Sequence, residues 1–151
     1  MYLGYVLLFI LPVLCSTAST FNYTSCDKAK QPKFCIAECA FKANGYLLTN
    51  GSVNVAALQK TYQQRYKNDA NMSQLMVRSL NSCVDYAQKR TQQYQWMHTK
   101  DECDYYPATL LACILEQVYT NCPATKWKNT DECAAMRKYL LACDDVKSGR
   151  K

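Results

Sequence analysis

The sequence predicts an all-α fold, on three observations. Apolar residues recur at three- and four-residue spacing along most of the chain, the spacing that lines one face of a helix. No stretch keeps the period-two alternation of a half-buried strand. Two closely spaced cysteine pairs, Cys35/Cys39 and Cys113/Cys122, fall inside segments with helical patterning. The cysteines therefore read as ties between helices rather than as loops around a metal.

The N-terminal eighteen residues stand apart from the rest. Leu3 to Leu14 is a nearly unbroken apolar run, and the small residues Ser16 and Ala18 follow at the spacing of a signal-peptidase site. A membrane anchor would need about 18 or more apolar residues, and this run is shorter. The expectation is a signal peptide over residues 1–18, cut after Ala18, and one helical domain over residues 19–151.

After a polar lead from Ser19 to Gln31, Lys33 to Asn44 reads as a short helix that Gly45 stops. Cys35 and Cys39 sit at i and i+4, so both sulfurs leave the same face. Asn50-Gly51-Ser52 is a turn, and the next helix runs from Val53 to Lys67 with Val55, Leu58, Tyr62 and Tyr66 in its stripe. Asn68 to Asn71 interrupts the pattern. Ser73 opens a third helix, whose stripe of Leu75, Met76, Leu80, Cys83, Val84 and Ala87 carries it to about Arg90.

Thr91 to Asp104 is polar around Trp96 and Met97 and reads as a helix end followed by a loop. Pro107 suits the first helical position. Ala108 to Asn121, with Leu110, Leu111, Ile114, Leu115 and Val118, is the most apolar helix of the chain. Cys113 and Cys122 are nine residues apart and would face opposite sides of it, which predicts a central helix tied on both flanks. Pro123 ends it. A last helix is expected from Thr130, its N-cap, to about Cys143, with a frayed polar tail from Asp144 to Lys151. The total is five or six helices with no internal repeat.

Composition narrows the function classes. Ten cysteines in 151 residues indicate an oxidising compartment. Removal of Cys15 with the signal peptide leaves an odd number, so one thiol stays free, capped or paired between chains. Sequons at Asn22, Asn50 and Asn71 fit the secretory route. The net charge of +6 is spread along the chain, without the basic runs and interleaved aromatics of a nucleic-acid face.

Catalytic motifs do not compete with the cysteines. Zinc would need Cys-x-x-Cys pairs or Cys/His clusters, and the one histidine is His98. A redox Cys-x-x-Cys and a Gly-x-Ser-x-Gly elbow are both missing from the sequence. His98 with Asp101 is half of a dyad at most, and a solvated loop histidine is the plainer reading. A phospholipase A2 would need a Cys-Cys-x-x-His-Asp helix and a Gly-rich calcium loop, which four glycines do not supply.

The order of the cysteines carries a family resemblance. Cys35-Ile-Ala-Glu-Cys39, the long gap to Cys83, and Cys113 with eight residues before Cys122 resemble the six-cysteine signature of insect odorant-binding proteins, the PBP/GOBP-like family. The additional Cys103, Cys133 and Cys143, with Pro123 directly after Cys122, resemble its Plus-C subgroup. The match spans Cys26 to Cys143.

The resemblance implies a compact five- to six-helix, disulfide-stapled domain around an apolar cavity. It also implies a non-enzymatic carrier, secreted into sensillar lymph or another fluid, for odorants, pheromones or related semiochemicals. No cofactor or metal is expected; a membrane chemoreceptor is a further partner, and the chain is a monomer or dimer. The bridges it implies are Cys26–Cys39, Cys35–Cys113 and Cys83–Cys122, with Cys103, Cys133 and Cys143 left over.

The walls of such a cavity would come from the apolar stripes: Leu58, Tyr62, Leu75, Met76, Leu80, Leu111, Ile114, Leu115 and Val118, with Trp127 near the rim. Tyr62 would give the ligand its one hydrogen bond, and Met76 an adaptable wall. An unfilled pocket of about 300 Å3 costs on the order of 7 kcal/mol, and three or four bridges at about 2–4 kcal/mol each offset it. That accounts for staples in a chain long enough for an ordinary core. Release gated by His98 at low pH is an additional expectation. The alternative is a secreted salivary or venom-type protein that uses the scaffold to bind a host macromolecule, and a small lipolytic enzyme is the third reading.

Overall fold

The computed structural model describes Cys26, residues 35–93 and residues 103–147, with side chains as far as Ala142. Within these residues the chain forms five α-helices: α1 (Cys35–Ala43), α2 (Val55–Arg65), α3 (Ala70–Gln93), α4 (Tyr106–Asn121) and α5 (Asp131–Lys147). A single 3-10 turn, Ala124–Lys126, lies between α4 and α5. The only β-type pairing among the described residues is an isolated antiparallel bridge between Leu47 and Val53.

Local chemistry sets the helix ends. Gly45 adopts φ +70° just past α1; its N–H donates to the Lys42 carbonyl at 3.1 Å, and the Tyr46 N–H donates to the Phe41 carbonyl at 2.8 Å. This is a Schellman stop, which favours glycine at the left-handed position. Its hydrophobic contact is present too, as Phe41 and Tyr46 pack edge to face at 5.9 Å.

The second helix starts at Val55, because Asn54 caps it by accepting from the Ala57 N–H at 3.1 Å. Val53 is spent on the bridge to Leu47. Helix α3 begins three residues before Ser73, the expected start. Asp69 accepts from the Met72 N–H at 3.1 Å, so the cap lies within the polar break rather than after it. In α4, Pro107 is the second residue, still in the first turn where its missing N–H costs no helical bond.

Thr130 caps α5 as expected, accepting from the Cys133 N–H at 3.3 Å. The helix does not stop at Cys143. It continues through Asp144 to Lys147, where a frayed tail was expected.

The described residues group into two compact units, one reaching Ile114 and the other starting at Leu115. In the first, α2 packs along α3, and Phe41, Leu58, Met76, Leu80, Leu110 and Ile114 are fully buried. Three disulfides belong to this unit: Cys26–Cys39, Cys35–Cys103 and Cys83–Cys113, with Cα separations of 5.8, 5.4 and 5.7 Å.

Cys26–Cys39 is the pairing the resemblance implied. The other two bridges correct it. Cys35 bonds Cys103, not Cys113, and Cys83 bonds Cys113, not Cys122. Nine residues separate Cys103 from Cys113 and eight separate Cys113 from Cys122, so spacing alone does not identify the last pair of the signature. Position does. The segment before α4 is docked on α1, where the Asp104 N–H donates to Glu38 Oε2 at 3.1 Å, and this leaves Cys113 for α3. Cys122 is a free, buried thiol one residue beyond α4. Among the described bridges, α4 is therefore tied through Cys113 alone rather than on both flanks.

The second unit has its own core of Tyr119, Cys133 and Leu140, with Trp127 and Met136 packed against it. Tyr119 meets Trp127 edge to face at 5.8 Å. Cys133 is disulfide-bonded as well.

Candidate ligand site

Seven of the ten residues expected to line a pocket lie in the first unit. Leu58 and Tyr62 occupy the buried face of α2, and Leu75, Met76 and Leu80 that of α3. Leu111 and Ile114 are buried on the first half of α4. α2 packs along α3 in a seam, and the first five are buried residues of the two helices. The remaining three belong to the second unit: Leu115 and Val118 are buried, and the half-buried Trp127 packs on the Tyr119–Cys133–Leu140 cluster.

Tyr62 is the polar exception in the seam. Its side chain is 3 % exposed, and its hydroxyl has no hydrogen-bond partner. Burial, and next to it the neighbouring Tyr46 and Tyr66, push its ionisation far above the usual tyrosine range. The hydroxyl is thus a neutral donor. One turn on, the Tyr66 hydroxyl is also shielded from solvent and unpartnered, and burial raises its pKa. Tyr46, by contrast, donates to Thr61 Oγ1 at 3.2 Å. An unsatisfied buried hydroxyl costs about 1–3 kcal/mol, so two of them four residues apart, one in the last turn of α2 and one at its C-cap, are unusual in a settled core.

Sequence reasoning placed Tyr66 in the α2 stripe but did not assign it a binding role. The signal was its four-residue spacing from Tyr62. The second unit holds a comparable group, the unpartnered Tyr119 hydroxyl. Burial raises the pKa of Tyr119 and also that of Cys122 next to it, with Arg137 and Lys126 partly countering the shift on the thiol.

A surface cleft of about 540 Å3 runs over α2 and α3, lined by Gln63, Ser73, Gln74, Val77, Arg78, Asn81 and Ser82. It is open to solvent, is lined by polar residues apart from Val77, and shares no residue with the expected lining. Asn50 and Asn71 are both exposed, Asn50 in the turn after α1 and Asn71 in the first turn of α3. Asn22, Trp96, Met97, His98 and Asp101 lie outside the described residues, as do residues 1–18 and the side chain of Cys143. No described helix is long and apolar enough to cross a membrane.

Bridges that interlock a set of short amphipathic helices define a small disulfide-stapled helical protein. The model of the AgamOBP47-like family, an insect odorant-binding protein family, matches residues 24–139, and the chain belongs to that family. Neither the curated proteins nor the solved structures yield a match to it.

Proposed function

We propose that this protein is a secreted, non-enzymatic carrier of small hydrophobic ligands, odorants or pheromones among them, which bind within the helical core along the α2–α3 seam. Family membership supports the carrier class. The observation that carries the binding site is the Tyr62 hydroxyl, buried without a partner beside apolar faces. A ligand that inserts there gains apolar burial and relieves an unsatisfied donor in one step.

Secretion is supported by the apolar run from Leu3 to Leu14 with the small residues Ser16 and Ala18 after it, and by the number of bridged cysteines. We place the chain in the Plus-C subgroup on Cys122-Pro123 and Cys133, which lie beyond the six cysteines paired with one another between Cys26 and Cys113.

The test is fluorescence of Nile red with the oxidised protein. Binding at micromolar probe with a blue shift, and displacement by volatile apolar compounds, is the expected result. Failure of Nile red and of the volatiles to bind overturns the carrier reading in favour of a scaffold for a host macromolecule.

A further inference from the structure

We infer that Tyr62 and Tyr66 together read a neutral oxygen acceptor, the carbonyl of a ketone, aldehyde or ester, on an otherwise apolar ligand. The inference rests on the carrier reading and adds the chemical class of the ligand. It begins from geometry. Tyr62 lies in the last turn of α2 and Tyr66 is its C-cap residue, four positions on, with its N–H donating to the Tyr62 carbonyl at 3.0 Å. Both hydroxyl oxygens are buried, and neither donates to any protein acceptor.

Tyr46, the third phenol of the group, is already committed to Thr61. What the C-terminal end of α2 offers is two unpartnered donors, with Leu58 one turn before Tyr62 fully buried and Met76 and Leu80 buried on the partner helix. A hydrocarbon inserted there would leave both donors unsatisfied. A carbonyl oxygen has two lone pairs and can accept from both.

Desolvation disfavours the other common acceptor. A carboxylate would have to shed its hydration beside the buried Leu58, Tyr62, Met76 and Leu80. At Tyr66 the positive Arg65 outweighs the negative Asp69, but the Arg65 side chain is exposed, so solvent screens its charge. The neutral acceptor is favoured over both the alkane and the acid.

Three competitors of equal carbon number, a straight-chain methyl ketone, the alkane and the carboxylate at neutral pH, are titrated against Nile red on wild type, Tyr62→Phe and Tyr66→Phe. Phenylalanine keeps the ring and removes an unpaired group, so the fold is retained; circular dichroism checks it. The ketone should lose about tenfold in affinity in Tyr62→Phe, with a smaller loss in Tyr66→Phe, and the alkane should be unchanged or tighter. The carboxylate should compete worst in every form.

Equal effects of either substitution on ketone and alkane overturn the inference while the carrier reading stands. Carboxylate binding tighter than the ketone overturns it too. If neither Nile red nor any competitor binds, and the ketone does not raise the melting temperature, both readings fall together.

Discussion

Arg137 stands over the ring of Trp127, its guanidinium carbon 5.3 Å from the ring centroid, while one of its N–H groups donates to the Thr120 carbonyl at 2.8 Å. One cation thus serves two purposes. It covers the exposed side of an aromatic that packs on the second core, and it takes up a carbonyl in the last turn of α4, where helices lack internal donors.

Replacing Arg137 by Met keeps the aliphatic stem and removes both interactions. A charged hydrogen bond and a partly exposed cation–π contact together predict a loss of about 2–3 kcal/mol. Thermal unfolding followed by Trp127 fluorescence, in a Trp96→Phe background, measures it. Arg137→Lys should recover only part of the loss, since an ammonium cannot span both partners with a planar fork.

The thiol chemistry follows from Cys122. Its burial and raised pKa predict little alkylation of the native protein at neutral pH and rapid alkylation in denaturant, read by peptide mass mapping. The same map should recover Cys35 with Cys103 and Cys83 with Cys113. Removing either bridge by paired Ser substitution is expected to cost about 4 kcal/mol, given the lengths of chain they close.

Alkaline pH should expose the buried phenols. Burial raises the pKa of Tyr62, Tyr66, Tyr106 and Tyr119 in the folded state. A raised folded pKa contributes stability that is complete below the unfolded value of about 10 and is lost as pH climbs towards the folded one. Absorbance of tyrosinate should therefore develop in stages, exposed phenols first, the half-buried Tyr66 and Tyr106 later, and Tyr62 and Tyr119 only with unfolding. In Tyr62→Phe the alkaline unfolding midpoint should move to higher pH.

Asn50 lies at an exposed turn, its side-chain oxygen accepting from the Ser52 N–H at 3.0 Å and the Ser52 hydroxyl at 2.7 Å. A glycan on its nitrogen would extend into solvent without disturbing a helix. Protein secreted from insect cells should shift in mass on glycosidase treatment, and Asn50→Gln should remove one glycan increment. Secreted protein with an unmodified Asn50 would count against this site alone.

Much of the architecture was legible because its determinants are local. Apolar stripes marked α2 to α4, Gly45 marked the stop of α1, and Thr130 the start of α5. The misses share a cause. Asp69 is one of several polar residues in a row, and only the backbone position of Met72 shows that it is the cap. The extension of α5 to Lys147 runs through Asp144 and Asp145, residues that sequence pattern assigns to a solvated tail.

The bridges were harder, since pairing depends on which strands of chain approach in space. Two gaps of nearly equal length allowed two assignments, and the contact of Asp104 with Glu38 decided between them. For the ligand site, apolar spacing located the seam and Tyr62. It could not show that Tyr46 finds a partner while Tyr66 does not, because hydroxyl partnering is fixed by neighbours distant in sequence.

Counted along the chain, the six cysteines from Cys26 to Cys113 pair first with third, second with fifth and fourth with sixth. Each covalent loop overlaps the next, so every peptide bond between Cys26 and Cys113 is spanned by at least one of them. A protease that cuts this stretch once produces a nick and not two fragments. The pieces stay one molecule until a reductant acts, and the helices on either side of the nick keep their covalent anchors. In a protease-bearing fluid, an accessible loop such as the one around Gly51 could then be cleaved without the protein losing its parts.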